Sequence, residues 1–212
     1  MQWNLVIPVK PLALAKSRLA DTAAGELRPG LALAFAQDTV AAALACPVVR
    51  DVAVVTDDVL AGRELAALGA RVVPDEPRTG LNGALEHGAA FVRAARPRSA
   101  LAALNADLPA LRPLELARVL DAAAEFPRAF LPDAAAIGTT LLAVGPDGEL
   151  LPAFGPDSRD RHRVSGAVEL RLDAVDSVRQ DVDTGEDLRA ALALGVGPRT
   201  AAAAARLLIP GQ

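Results

Sequence analysis

The run Asp51-Val52-Ala53-Val54-Val55-Thr56, the turn Asp57-Asp58, an alanine- and leucine-rich segment to Leu68, and then Ala70-Arg71-Val72-Val73 decide the fold. The first run is almost wholly apolar and reads as a buried strand. Asp57-Asp58 is placed to cap the helix that follows. The last run is a second strand, and strand–helix–strand is the signature of a parallel pair. Working outward, Trp3-Asn4-Leu5-Val6-Ile7 predicts an earlier strand. Residues 30–44 predict a helix, with Leu31, Phe35, Val40 and Leu44 near one face. Downstream come a helix from Leu81 to Ala95 and a strand from Ala100 to Leu104. A further helix opens on Pro113 and runs to about Glu125. Apolar strands alternating with helices predict a mainly parallel sheet covered on both faces.

The second half breaks this rhythm. Arg128 to Leu131 and Thr140 to Val144 read as strands with no helix between them, so a β-hairpin is expected there. Residues 157–168 read as helical, Glu169 to Leu172 and Ser177 to Gln180 as further strands, and Thr184 to Leu194 as a helix. The alanine-rich C-terminus is expected to fray. The fold class is α/β: a mostly parallel central sheet with a hairpin insertion. One domain over 1–212 is expected, with a βα half over 1–125 and a second half over 126–200.

At 212 residues and 52% hydrophobic, the chain can build one self-sufficient core. Folding should remove roughly 70% of its accessible surface. The single cysteine, Cys46, rules out an intrachain disulfide and suits a reducing cytoplasm. The start shows no secretory signal, and no apolar run approaches the ~20 residues of a membrane span. The formal net charge is -4, aromatics are 3% and tyrosine is absent, which argues against a nucleic-acid binder. Anionic ligands would therefore need local cations or a metal.

Ligands of open α/β sheets bind beyond the carboxyl ends of the strands. After the first strand come both lysines of the chain, Lys10 and Lys16, with Ser17 and Arg18. Arginine supplies every other basic side chain. Lysine is the compact cation that suits a crowded phosphate, so this stretch predicts an anion-binding loop. The alternative is two solvated surface lysines. Thr56 follows the second strand. Gly80, Asn82 and Gly83 open a helix, where close backbone approach and free N–H groups suit an anion. Asp107 stands just past the fourth strand and reads as a hard oxygen ligand placed for Mg2+, or else as a plain turn carboxylate. Asp181 and Asp183 are two apart, so an extended segment points both to one side. Asp183 reads equally well as a helix N-cap. Ile137-Gly138-Thr139-Thr140, and Phe154 to Arg163 with Arg159, Arg161, Arg163 and His162, suggest a pocket for a small phosphorylated or carboxylated ligand, or else a solvated helix. His87 reads as a helix-surface histidine. There is no Walker A, Gly-x-Ser-x-Gly or zinc-type spacing.

In order along the chain, Leu5-Val6-Ile7-Pro8-Val9-Lys10 through Lys16-Ser17-Arg18-Leu19, Val54-Val55-Thr56-Asp57 and Gly80-Leu81-Asn82-Gly83 resemble the 2-phospho-L-lactate and phosphoenolpyruvate guanylyltransferases. So do Asn105-Ala106-Asp107-Leu108-Pro109, Gly138-Thr139-Thr140, Phe154-Gly155 with Ser158 and His162, and Asp181-Val182-Asp183-Thr184. The resemblance implies a Rossmann-like, glycosyltransferase-A-like nucleotidyltransferase fold. It implies transfer of GMP from GTP to a small phospho-acid, with release of pyrophosphate, on the way to coenzyme F-420. It gives Asp107 and Asp183 to Mg2+, with Asp181 an alternative ligand. It gives Lys16, Arg18 and Asp107 the catalytic roles. Lys10, Lys16, Ser17, Arg18, Thr56, Gly80, Asn82 and Gly83 are given to GTP. Thr140, Gly155 and Ser158 are given to the acceptor. The implied partners are GTP and phosphoenolpyruvate or 2-phospho-L-lactate, with no nucleic acid or membrane, and with assembly as a homodimer open. The alanine- and arginine-rich composition looks like a high-GC genome and tilts toward phosphoenolpyruvate. Against the pattern of related enzymes, Pro11-Leu12-Ala13-Leu14-Ala15 lacks glycine, so side chains should hold the phosphates more than a backbone cradle does. A sugar-phosphate or molybdenum-cofactor nucleotidyltransferase, or a non-catalytic binding domain, are the competing readings.

Overall fold

The computed structural model describes residues 1–15, 19, 27–76 and 78–206. A seven-stranded sheet forms with strand order β3-β2-β1-β4-β6-β5-β7. Strand β1 (Trp3–Pro8), third in that order, is buried along almost its whole length and pairs in parallel with β2 (Val49–Val55) and β4 (Ala100–Leu104). Beyond β2 lies β3 (Arg71–Val73), also parallel. From β1 the chain passes first to one side of the sheet and later to the other. That reversal opens a crevice beyond the carboxyl ends of β1 and β4.

Helix α1 (Leu27–Leu44) packs on β2, and its Leu31, Phe35 and Val40 are buried. Asp58 caps α2 (Val59–Ala66) by accepting the Ala61 amide at 3.0 Å, as the Asp-Asp turn predicts. Helix α3 (Leu81–Ala95) lies on the sheet over β1 and β2. Gly88 permits this: a Cβ there would sit 2.5 Å from Val6 Cγ1 and 2.7 Å from Val55 Cγ2. Pro113 opens α4 (Pro113–Ala123).

The predicted hairpin is present as β5 (Arg128–Pro132) and β6 (Thr139–Val144), with β6 antiparallel to β4. Two expectations for the following segment fail. Only Val168–Glu169 forms a strand, β7, after the short helix α5 (Ser158–Val164). Residues read as a strand at Ser177 to Gln180 form one helical turn, α6 (Asp176–Arg179). Contacts with α4 decide its conformation. Glu115 accepts both the Ser177 amide at 3.0 Å and the Ser177 hydroxyl at 2.8 Å. Burial works against the Glu115 charge, but Ser177 and Arg112 outweigh it and hold the carboxyl below its ordinary range.

Helix α7 (Gly185–Leu194) starts with a capping box between Thr184 and Asp187. The C-terminal alanine run, expected to fray, forms α8 (Pro198–Ala205), which packs on α1. The buried Asp38 carboxylate of α1 accepts the amides of Thr200 at 2.7 Å and Arg199 at 3.3 Å. Around this junction Leu19, Leu31, Phe35, Ala110, Val182, Leu188 and Ala191 form a satellite core. Each large apolar side chain buried there contributes about 1.5–3 kcal/mol.

Candidate active site

A cleft of about 650 Å³ opens at the carboxyl ends of β1 and β4. Lys10, Asp107, Asp181, Asp183, Gly155 and Ser158 all line it. Its floor is the loop Asn105 to Pro109, whose main chain is held at four points. Asn105 N donates to Thr140 O at 3.0 Å, and Leu108 N to the Thr39 hydroxyl at 3.0 Å. Asp107 O accepts from Val182 N at 3.1 Å, and Pro109 O from Gly197 N at 2.9 Å. The Val182 bond matters most for chemistry, because it lays the 181–183 segment beside Asp107. Val182 is buried in the satellite core, and both neighbouring aspartates line the cleft. This is the alternation expected of an extended segment. The helix cap that Asp183 could have formed is made by Thr184.

Asp58 also ties down the start of the loop after β1 by accepting the Leu12 amide at 2.8 Å. Burial opposes its charge, but the amides of Ala61, Leu12 and Leu60 prevail and keep the carboxyl below the usual range. Lys10 is exposed on the cleft. Lys16, Ser17 and Arg18 lie outside the described residues.

The opposite wall is residues 154–158, all of which line the cleft. Asn82 faces this wall's main chain: its Nδ2 donates to Phe154 O at 3.1 Å and its Oδ1 accepts from Phe154 N at 2.8 Å. One residue earlier, Ala153 N donates to His162 Nε2 at 2.9 Å. The ring therefore carries its proton on Nδ1, 2.9 Å from the Thr139 hydroxyl. His162 is fully buried, in edge contact with Phe154. Burial, then the charges of Arg128 and Arg161, push it from 6.5 to about 4. It is a neutral structural histidine and not a cleft group.

The arginines expected in an anion pocket are used elsewhere. Arg159 makes a paired contact with Glu169 at 2.9 and 3.0 Å and donates to Ala136 O at 2.8 Å. Arg161 donates to the Pro156 carbonyl, and Arg163 pairs with Asp160. Thr56 is buried, its hydroxyl accepting the Asp58 amide at 3.1 Å. Gly80 is the N-cap of α3 with φ 91°, and Gly83 lies in that helix's first turn beside Thr79. Of this helix start, Leu81 lines the cleft. Thr140 is buried, while its neighbour Thr139 reaches the lining. Gly155 has φ 115°, a backbone state that suits glycine. Asp133 is a lining residue the sequence reading missed. It closes the hairpin turn by accepting the Ile137 amide at 2.9 Å and the Gly138 amide at 2.8 Å. A Pro-Asp pair after a strand was its only sequence signal. Cys46 is buried, and burial raises its thiol above the ordinary value, so it is no nucleophile.

A second hollow of about 440 Å³ sits at the amino ends of the strands, lined by Arg50, Arg96 and Arg98. Arg96 pairs with Asp51 and Arg98 with Asp147, and none of the motif residues reaches it.

This α/β sheet, with an acidic cleft at its switch point, has a nucleotidyltransferase-like fold. A nucleotidyl transferase from Methanothermobacter thermautotroptrophicus shares the fold, with a TM-score of 0.63 at 23% identity over 91% of this chain and 97% of that one. The family model described as guanylyl transferase CofC like matches residues 3–204. The chain belongs to this guanylyl transferase family, and the resemblance read from its motifs is borne out. The phosphoenolpyruvate guanylyltransferase of Streptomyces coelicolor is 82% identical over 212 residues, covering 100% of both chains. That of Streptomyces avermitilis is 80% identical over 211 residues, covering 100% of this chain and 98% of its own.

Proposed function

We propose that this enzyme transfers GMP from GTP to phosphoenolpyruvate, giving enolpyruvoyl-2-diphospho-5'-guanosine and pyrophosphate, as a step toward coenzyme F-420. The observation that carries the reading is the Val182–Asp107 main-chain bond, which brings Asp107 and Asp183 to one cleft with Lys10. Family membership and the names of its Streptomyces relatives supply the nucleotide and the acceptor. A cytoplasmic setting agrees with one lone cysteine and a nucleotide substrate.

Among the described residues, no three of His, Cys, Asp or Glu gather as a closed metal site. Two hard carboxylates on an open cleft suit Mg2+ instead, which takes one or two such ligands and fills the rest with phosphates and water. Asp107 and Asp183 would hold it, with Asp181 the alternative second ligand. Its charge would screen the two anionic substrates from each other and stabilise the α-phosphate.

The acceptor phosphate oxygen forms the new bond to the α-phosphorus of GTP as the bond to pyrophosphate breaks. That oxygen is already anionic near neutral pH, so the protein needs no strong base. Its contribution is positioning and charge neutralisation. Lys16 and Arg18 would neutralise the departing pyrophosphate, with Lys10 at the strand end. Gly80 and Gly83 would lie against the nucleotide, and Gly155 and Ser158, which line the cleft, would receive the acceptor, with Thr140 buried behind Thr139. Residues 1–125 thus form the nucleotide half, and 126–200 the half that binds the acceptor and completes the metal site.

The test is pyrophosphate release with GTP and Mg2+ across phosphoenolpyruvate, 2-phospho-L-lactate and 3-phosphoglycerate, with ATP as the nucleotide control. Phosphoenolpyruvate with GTP should be turned over fastest. Silence on the whole panel overturns the reading.

A further inference from the structure

We propose that Asn82 is a positioning residue that sets the acceptor wall of the cleft through the main chain of Phe154, and does not work by touching the nucleotide. The proposal rests on the functional reading above for the identity of the wall's ligand. Three observations carry it.

The first is the pairing itself. Asn82 gives Phe154 one donor and one acceptor, at 3.1 and 2.8 Å, as a neighbouring strand would. Two bonds to one residue fix its orientation as well as its place. Aspartate lacks the donor and alanine lacks both groups.

The second is the state of the wall. Between Leu150 and Ser158 there is no regular element. Leu151 has φ 47°, Gly155 φ 115° and Asp157 φ 54°. For the two non-glycine residues the left-handed region costs about 1 kcal/mol each. Such a segment keeps its shape only when its surroundings impose it. Side chains of two elements do so: Asn82 of α3 holds Phe154 by both its amide and its carbonyl, while from α5 His162 holds the Ala153 amide and Arg161 donates to the Phe154 and Pro156 carbonyls.

The third is where the ends of this latch fall. The wall supplies the cleft with Phe154 to Ser158, whereas at the start of α3 it is Leu81, not Asn82, that lines the cleft. Asn82 therefore acts on the site at one remove, and joins the first turn of α3 to the acceptor side.

The experiment compares initial rates of the full-length enzyme with Asn82→Ala and Asn82→Asp, varying GTP and phosphoenolpyruvate separately. Amide exchange at Ala153 and Phe154 is followed by NMR. Asn82→Ala should raise KM for phosphoenolpyruvate about ten-fold while KM for GTP changes less than about two-fold. Its Phe154 amide should exchange faster, and by a larger factor than Ala153. Asn82→Asp, which keeps the acceptor for the Phe154 amide, should fall between Asn82→Ala and the parent. It carries the same comparison should Asn82→Ala fail to fold. A rise in KM for GTP equal to or above that for the acceptor would assign Asn82 to the nucleotide and overturn the proposal. Unchanged KM values and exchange in a folded variant would overturn it equally. If the parent enzyme uses no acceptor of the panel, the functional reading fails, and Phe154 exchange still decides whether the latch exists.

Discussion

The floor and the wall of the cleft are built on opposite plans. The floor, Asn105 to Pro109, is held through its own main chain by partners on β6, on α1, in the 181–183 segment and just before α8. The wall, residues 153–158, is held mainly by three side chains, Asn82, His162 and Arg161. A main-chain lattice anchored in four places survives the loss of one anchor. A wall hung on three side chains is more exposed to the loss of any one of them. The difference teaches that the proposed metal carboxylate sits on a rigid base, whereas the face that meets the acceptor can be retuned by single substitutions.

The sharpest way to break this comparison is at Asp107 itself. Asp107→Ala should lower turnover by about a thousand-fold or more. Its thermal midpoint should stay near that of the parent, because the floor's anchors are main-chain groups. Near-normal turnover at saturating Mg2+ would overturn the metal assignment.

Next comes the wall's dependence on a neutral histidine. Unfolded, His162 takes up a proton near 6.5; folded, only at about 4. Between those values the unfolded chain binds more protons. The stability from burying the neutral ring is therefore fully present above pH 6.5 and lost as the pH falls toward 4. The loss approaches about 3 kcal/mol. Urea unfolding at pH 7 and pH 4.5 measures it, and His162→Gln should remove most of the difference. A parent protein equally stable at both pH values would contradict the buried neutral ring.

Thr39 tests the floor's redundancy. Its hydroxyl accepts from Leu108 N and donates to Phe35 O at 2.8 Å. Thr39→Val strands a buried amide and should cost about 1–3 kcal/mol of stability. Turnover should fall less than about ten-fold, because three anchors remain, and Thr39→Ser should be close to the parent. A collapse of turnover in a folded Thr39→Val would show that the floor has no spare support.

The smallest effect belongs to the solvent side of α5. Arg163 and Asp160 pair at 2.8 Å, with side chains 59% and 65% exposed. Arg163→Ala should move Tm by less than about 2 °C, since exposed pairs contribute little. A larger shift, or a changed KM for the acceptor, would mean that Arg163 reaches the wall.

What could be read in the sequence follows the range of the forces involved. Strands β1, β2 and β4 are buried on both faces, so their apolar runs were visible in isolation. The hairpin was legible because two such runs have no helical pattern between them. Ser177 to Gln180 misled because Ser177 answers to Glu115, 62 residues away. The alanine run of α8 misled for the same reason, since Asp38 caps it across a separation of 162 residues at Thr200. Within the site, Asp107 and the Asp181–Asp183 pair were found because carboxylates after apolar runs are conspicuous. The supports Thr39 and Asp38 were not, because a buried threonine or aspartate looks in sequence like any surface one; His162 was singled out as a pocket residue, and the structure makes it a buried support.

The amino-acid sequence by itself determined the class of fold, the family and the candidate carboxylates. Each is written in local pattern or in short ordered motifs. Only the tertiary structure decided which of those residues meet and which stand behind. It laid Asp183 beside Asp107, withdrew Thr56 and the α5 arginines from the cleft, and turned Asn82 toward the main chain of Phe154. Those outcomes depend on hydrogen bonds between segments far apart in the chain, and periodicity along the chain carries no record of them.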